Sequence, residues 1–317
     1  MVSAGCASVQ VGGASPLFSP KQPQEAKDEI LDTIRRDPRQ LGVDQSRWSH
    51  HHIRQHCSFL ANLSDSGIHR ILDRLGISYK RGRDYVHSPD PDYQVKLQLI
   101  ADVVAEVRAD PQRLVLLYQD EVTYYRQPTV ARAYEQRGRH QALARRSHAH
   151  NTPTRVSGAL NLLTGRVSYR QGSCFGIDEM VRFYEQLCRD YPHATRIYLV
   201  QDNWPVHYHP DVLVALEPQQ WQWPRRVPKN WPTQPSRKAQ ERWESRQLPI
   251  QVLSLPTYAS WANPIEKLWR WLKQDVLHLH RLADDITALR QLVVRFLDTF
   301  AQDSVELLRY VGLEIPD

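Results

Sequence analysis

Three short stretches place carboxylates where acids do chemistry: "YQDE" at 118–121, "LVQDNWPVH" at 199–207 and "NPIEK" at 263–267. The first two close apolar runs of strand length. Asp120 and Asp202 are therefore each expected at the carboxyl end of a buried strand, where α/β sheets gather their ligands. Two carboxylates brought together there repel each other unless a cation lies between them. A hard, oxygen-liganded ion such as Mg2+ suits that pair. A third carboxylate allows two ions about 3.5–4 Å apart, one activating an attacking oxygen and one stabilising a leaving oxygen. Glu121 and Asn203 follow the two acids, and alternation along a strand turns each away from its neighbour, into a supporting position.

Glu266 admits two readings. Asn263 can serve as a helix N-cap, Pro264 fits the first helical position, and Glu266 falls at the third, a capping-box arrangement. The same carboxylate, presented at the start of an amphipathic helix, could equally hold a metal ion. Spacing does not decide between them.

The elements that must position these residues follow from the rest of the chain. Its 317 residues are 41% hydrophobic, enough to bury a large core, and 41 Lys and Arg against 35 Asp and Glu give a mild basic excess of +6. That excess suits a polyanionic partner. Four scattered cysteines without a CxxC pair suggest a reducing compartment, and the apolar runs are too short to cross a membrane. The first 23 residues lack a basic and apolar leader pattern and read as a disordered tail. Residues 24–88 are helical in pattern: "EAKDEILDTIRRDP", "WSHHHIRQHCSFL" and "LSDSGIHRILDRLG", the last with Ser64 or Asp65 as cap and Gly76 as stop. With the basic turn "YKRGR" they resemble a winged helix-turn-helix. Ser66, His69 and Arg70 would face the major groove, and Lys80, Arg81 and Arg83 the backbone. A plain helical bundle is the alternative.

A linker helix is expected over 89–110. Beyond it come a buried strand at 113–121, a hairpin turning at Thr164-Gly165, an amphipathic helix from Ile177, a strand into Asp202, a short helix after His209 and a strand at 250–256. Helices follow from 283 to the end. The order predicts a mixed sheet with helices on both faces. Between Arg126 and Arg170 nine arginines stand against the single acid Glu135, and Arg137, Arg139, Arg145 and Arg146 are the densest part. Such a run is either a solvated face or a surface that tracks the phosphates of a nucleic acid. Arg270 and Lys273 follow Glu266 and belong to the same expectation.

Taken together, "QDE", "LVQDNWPVH" and "LPTYASWANPIEKLWRWLK", in that order, resemble the three catalytic blocks of DDE transposases, nearest to the mariner-like transposases of bacterial insertion sequences. The resemblance covers about 110–280. It implies an RNase H-like catalytic core over 111–282, with Asp120, Asp202 and Glu266 as a triad holding Mg2+ or Mn2+, two ions in all. It also implies double-stranded DNA as partner, both element ends and target, a homodimer that holds two ends together, and a cytoplasmic, nucleoid-associated protein. The implied reaction is hydrolysis of a phosphodiester at the element's end, then attack of the freed 3′-hydroxyl on target DNA. Alternatives are an RNase H-like nuclease that does not join strands, and an inactive or repurposed DNA-binding copy, whose mark would be a broken triad.

The sequence departs from the family in two places. Asp202 and Glu266 are 64 positions apart, about twice the family's usual gap. The surplus, 218–249, has six prolines, four tryptophans and seven basic residues, and reads as a floppy basic insertion or a loop whose tryptophans stack on DNA bases. In addition, one helix-turn-helix is visible where many relatives carry two. The run His50, His51, His52, His56 with Cys57 lacks the paired spacing of a zinc site.

Overall fold

The computed structural model describes residues 23–80, 88–218 and 227–313. The chain divides into two compact units, 1–84 and 85–317.

In the first unit, α1 (Pro23–Arg35), α2 (His50–His56) and α3 (Asp65–Arg74) enclose a small core of Ile30, Ile53, Cys57, Leu60, Ile68, Ile71 and Leu72. Ser64 is the α3 cap: its hydroxyl accepts the Gly67 N–H at 3.2 Å. Gly76, at φ +71°, ends the helix in the left-handed conformation that a side chain disfavours. Apolar spacing sends Ile68, Ile71 and Leu72 inward and leaves Ser66, His69 and Arg70 exposed. Lys80 is exposed as well, whereas Arg81, Arg83 and most of the expected basic turn lie outside the described residues.

The second unit is built on a five-stranded sheet of order β3-β2-β1-β4-β5. It opens with α4 (Tyr93–Ala109), then β1 (Leu114–Tyr125), β2 (Pro153–Asn161) and β3 (Val167–Gly172) form an antiparallel meander. α5 (Ile177–Asp190) crosses to β4 (Arg196–Gln201), which pairs parallel with β1; α6 (Pro210–Leu213) and α7 (Arg237–Trp243) precede β5 (Ile250–Ser254), parallel to β4. α8 (Ile265–Leu272), α9 (Ile286–Asp298) and α10 (Val305–Val311) complete the unit.

Alternation along β1 divides the core. Leu116, Tyr118, Val122 and Tyr124 face one apolar cluster with α4, α8, α9 and α10, while Leu117 faces a second with α5, α6 and α7. Three expectations change here. The helix foreseen as a linker is a core element, because Ile100, Val103 and Val107 at helical spacing bury against the sheet. β1 does not stop at Glu121: it runs four residues further, kept in the sheet by pairing to β2 as far as Tyr125 opposite Pro153. Within the 218–249 insertion Ser236 caps a helix, α7, and Trp243 is buried in the second cluster, out of reach of any base.

Candidate active site

The parallel pairing of β1 with β4 ends at Tyr118 opposite Val200, while β1 itself continues. Carried two residues further, the same register sets Asp202 level with Asp120. Both acids thus lie where the sheet has lost one strand. Asp120 points to the α8 side, and its Oδ2 accepts the Trp269 indole N–H at 3.0 Å. That indole lies across β2 at Gly158, the residue opposite Asp120. A Cβ on Gly158 would come within 2.6 Å of the Trp269 ring, so only glycine leaves room.

Glu266 enters this side at the start of α8, with Arg270 and Lys273 exposed beyond it. Burial, then the neighbouring Glu121 and Glu266 charges and Asp202, push the Asp120 carboxyl up to about 8. Burial also raises Glu266, against the opposing pull of Lys273 and Arg270. A buried group of acids that resist ionising together is the donor set a hard divalent cation satisfies.

The capping-box reading of Glu266 does not hold locally. Asn263 turns its side-chain amide away from the helix and donates to the Gln119 carbonyl of β1 at 2.9 Å, and its side chain caps nothing. The segment before α8 is held from another quarter. Ser88 Oγ donates to the Thr257 carbonyl at 2.6 Å, and the Thr257 N–H donates to Asp90 at 2.8 Å. Asp90 in turn forms a buried ion pair with Lys96 at 2.7 Å. Although burial works against the charge, Lys96 and the N–H groups of Thr257 and Asp92 hold the Asp90 carboxyl down at about 2.

Glu121 faces the α5 side. Its Oε1 accepts the Ser157 hydroxyl at 3.1 Å and also a Gln119 amide N–H. Burial raises its pKa despite these partners and His207. Asp202 sits at the strand end between the two sides, half-exposed. Burial would raise it, but the adjacent His207 ring and the Trp204 N–H, which donates to Oδ1 at 2.9 Å, keep it below the usual carboxylate range. Asn203 donates to the Leu255 carbonyl at 3.0 Å and accepts the Tyr208 hydroxyl, tying β4's end to β5.

Residues 115–290, more than half of the chain, match the family profile of DDE superfamily endonucleases. The chain belongs to that family. As a DDE endonuclease it acts with divalent metal ions, and the carboxyl cluster around Asp120 fits them. The "Insertion element IS630 uncharacterized 39 kDa protein" of Shigella sonnei is 22% identical over 272 residues, covering 85% of this chain and 69% of the relative. Among solved structures, the Mos1 transposase paired-end complex with left transposon end superposes with a TM-score of 0.56 at 14% identity, over 96% of this chain and 78% of that one. The mariner Mos1 paired end complex with Mg gives 0.57 at 12% identity, over 98% and 81%. At such identities the likeness shows the RNase H-like fold.

In this DDE endonuclease, Glu266 and Asp202 are near enough to Asp120 to act on its carboxyl. Arg137, Arg139, Arg145 and Arg146 are all exposed on the irregular excursion between β1 and β2. Sequence reasoning missed one residue. His207, five positions after Asp202 on the turn Pro205–Tyr208, is buried with its Nε2 3.4 Å from Asp202 Oδ1 and 3.8 Å from Glu121 Oε2. Its place in "DNWPVH" was the available signal. No helix among the described residues is long and apolar enough to cross a membrane.

Proposed function

We propose that this endonuclease is the transposase of an insertion element, and that Asp120, Asp202 and Glu266 are its catalytic triad. The observation that carries the reading is the placing of Asp120 and Asp202 level with each other where β4 ends and β1 continues, with Glu266 near enough to act on the buried Asp120 carboxyl. The kinship with an insertion-element protein and the fold shared with Mos1 transposase complexes support it.

The three carboxylates hold two Mg2+ (or Mn2+) ions, which supply positive charge to the attacking and leaving oxygens. Trp269 keeps Asp120 turned toward Glu266, and Glu121 and Asn203 brace the strand ends. Arg270 and Lys273 draw the scissile phosphate onto the acids, and Arg137, Arg139, Arg145 and Arg146 follow the flanking backbone. Water attacks the phosphorus, the bond to the 3′ oxygen breaks, and that oxygen takes up a proton. The freed 3′-hydroxyl then attacks a target phosphodiester and displaces its 3′ oxygen, so the bond count is conserved. Ser66, His69 and Arg70 on α3, with Lys80, Arg81 and Arg83, read the element's end, and a homodimer holds two ends.

The test uses purified protein with DNA carrying the element's ends. Cleavage and joining in Mg2+, both lost in EDTA or on Asp120→Ala, are the expected result. Cleavage without joining would reduce the protein to a nuclease, and full cleavage in EDTA would overturn the triad. Removing residues 1–88 should abolish specific end binding at matched salt.

A further inference from the structure

On the α5 side of β1, the side chains of Glu121, Asp202 and His207 converge. The Tyr184 hydroxyl donates to Gln201 Oε1 at 2.9 Å, so its lone pairs are left to face His207 Nδ1 at 3.3 Å. With the ring proton on Nδ1, directed at the Tyr184 oxygen, Nε2 is free to act as a metal ligand. That atom has no hydrogen-bond partner, its side chain is fully buried, and it is aimed at Asp202 and Glu121. The Glu121 carboxylate is fixed through Oε1 by Ser157 and Gln119, which leaves Oε2 turned toward His207. One ligand atom from each of Glu121, Asp202 and His207 lies within 4.8 Å of the others.

We propose that Glu121, Asp202 and His207 form a second metal site, one that takes a borderline transition-metal ion such as Mn2+ or Zn2+ in preference to Mg2+. The preference follows from the donor set, because imidazole nitrogen favours these ions and all-oxygen ligation favours Mg2+. The spacing suits it. Ligands at about 2.0–2.2 Å around a tetrahedral ion stand roughly 3.4 Å apart, close to the His207–Asp202 separation. Asp202, half-exposed at a strand end, can turn to close the set, whereas buried His207 and braced Glu121 cannot. The Tyr184 contact is the outer partner that orients a metal-binding imidazole. The proposal rests on the triad reading only in sharing Asp202.

The test uses the full chain, free of DNA and stripped with chelator, with Mn2+ as probe. Pulsed electron paramagnetic resonance should show imidazole nitrogen coupled to bound Mn2+. His207→Gln should remove that coupling and weaken Mn2+ binding at least tenfold. Glu121→Gln should weaken binding by a similar factor, and Glu266→Gln should keep the nitrogen signal. Absence of the signal in the unsubstituted protein, or its persistence in His207→Gln, overturns the site. Should His207→Gln not fold, Glu121→Gln decides: unchanged Mn2+ affinity overturns the proposal. Cleavage that fails in Glu266→Gln while nitrogen coupling is absent from the unsubstituted protein would leave the triad standing and remove this site. The reverse pattern would do the opposite.

Discussion

The two sides of β1 are assembled by different means. On the α5 side, Glu121 is fixed by strand neighbours: Gln119 two residues before it, and Ser157 opposite it on β2. On the α8 side, Asp120 meets a tryptophan 149 positions away, and Glu266 arrives on a helix whose approach is tied down by Ser88, Asp90 and Lys96. The first arrangement follows once the sheet pairs. The second depends on distant clamps, so it is the side on which remote substitutions should reach the chemistry.

The largest expected effect separates the sides by reaction rate. Glu266→Gln and Asp120→Asn preserve shape and remove charge from the α8 side. Cleavage of element-end DNA should fall about 10²–10³-fold, the scale of losing a principal electrostatic stabiliser, with melting temperature nearly unchanged. An active, folded Glu266→Gln would confine that residue to the helix and break the comparison. Without an opposing charge these acids repel, so Mg2+ should raise the melting temperature of the unsubstituted protein and hardly that of Asp120→Asn.

Next comes the clamp. Asp90→Asn takes the carboxylate from a buried lysine, a loss of about 3–5 kcal/mol for a broken buried pair, read by denaturant melts. The pH dependence has a definite sign. Asp90 is held at about 2 in the folded chain against about 3.9 unfolded, so its stabilisation is complete above pH 4 and is lost as pH falls toward 2. The Asn variant should lack that part of the acid transition.

Gly158→Ala is smaller and more local. Its methyl must displace the Trp269 ring, at about 1–3 kcal/mol for overpacking, and cleavage should drop with the lost indole contact to Asp120. Trp269→Phe loses the N–H together with part of the indole's bulk, so a normal rate would make the contact to Asp120 incidental. The smallest effect belongs to Arg270→Gln. It should weaken DNA binding uniformly across sequences and reduce the salt slope by about one.

How much of this was legible follows the same division. The succession of strands along the chain, the hairpin and a cap at Ser64 or Asp65 are local patterns, and each was read from apolar spacing and turn residues. Asp120, Asp202 and Glu266 were singled out because their blocks resemble a known family, and no spacing alone would have chosen Glu266 over its cap reading. What escaped is non-local. Asn263 obeys a carbonyl on β1 instead of its own helix. His207 gains meaning from Tyr184 and Glu121, on other elements. The acids at 120 and 121 look like a strand's end, yet Val122 and Tyr124 continue the inward alternation. The prolines of 218–249 masked a helix whose Trp243 belongs to the core.

One consequence follows from β1 outlasting β4. The β1–β4 pairing stops two residues short of Asp120 and Asp202, and half of the Asp202 side chain meets solvent. A carboxylate exposed at a strand end can meet a phosphate of a duplex without the duplex being engulfed. The same exposure keeps bulk water always at hand as a competing nucleophile. Hydrolysis is then the reaction the architecture performs by default. The strand joining proposed above would have to prevail over roughly 55 M water by positioning alone, an advantage that a well-oriented 3′-hydroxyl, with effective molarities up to about 10⁵–10⁸ M, is able to supply.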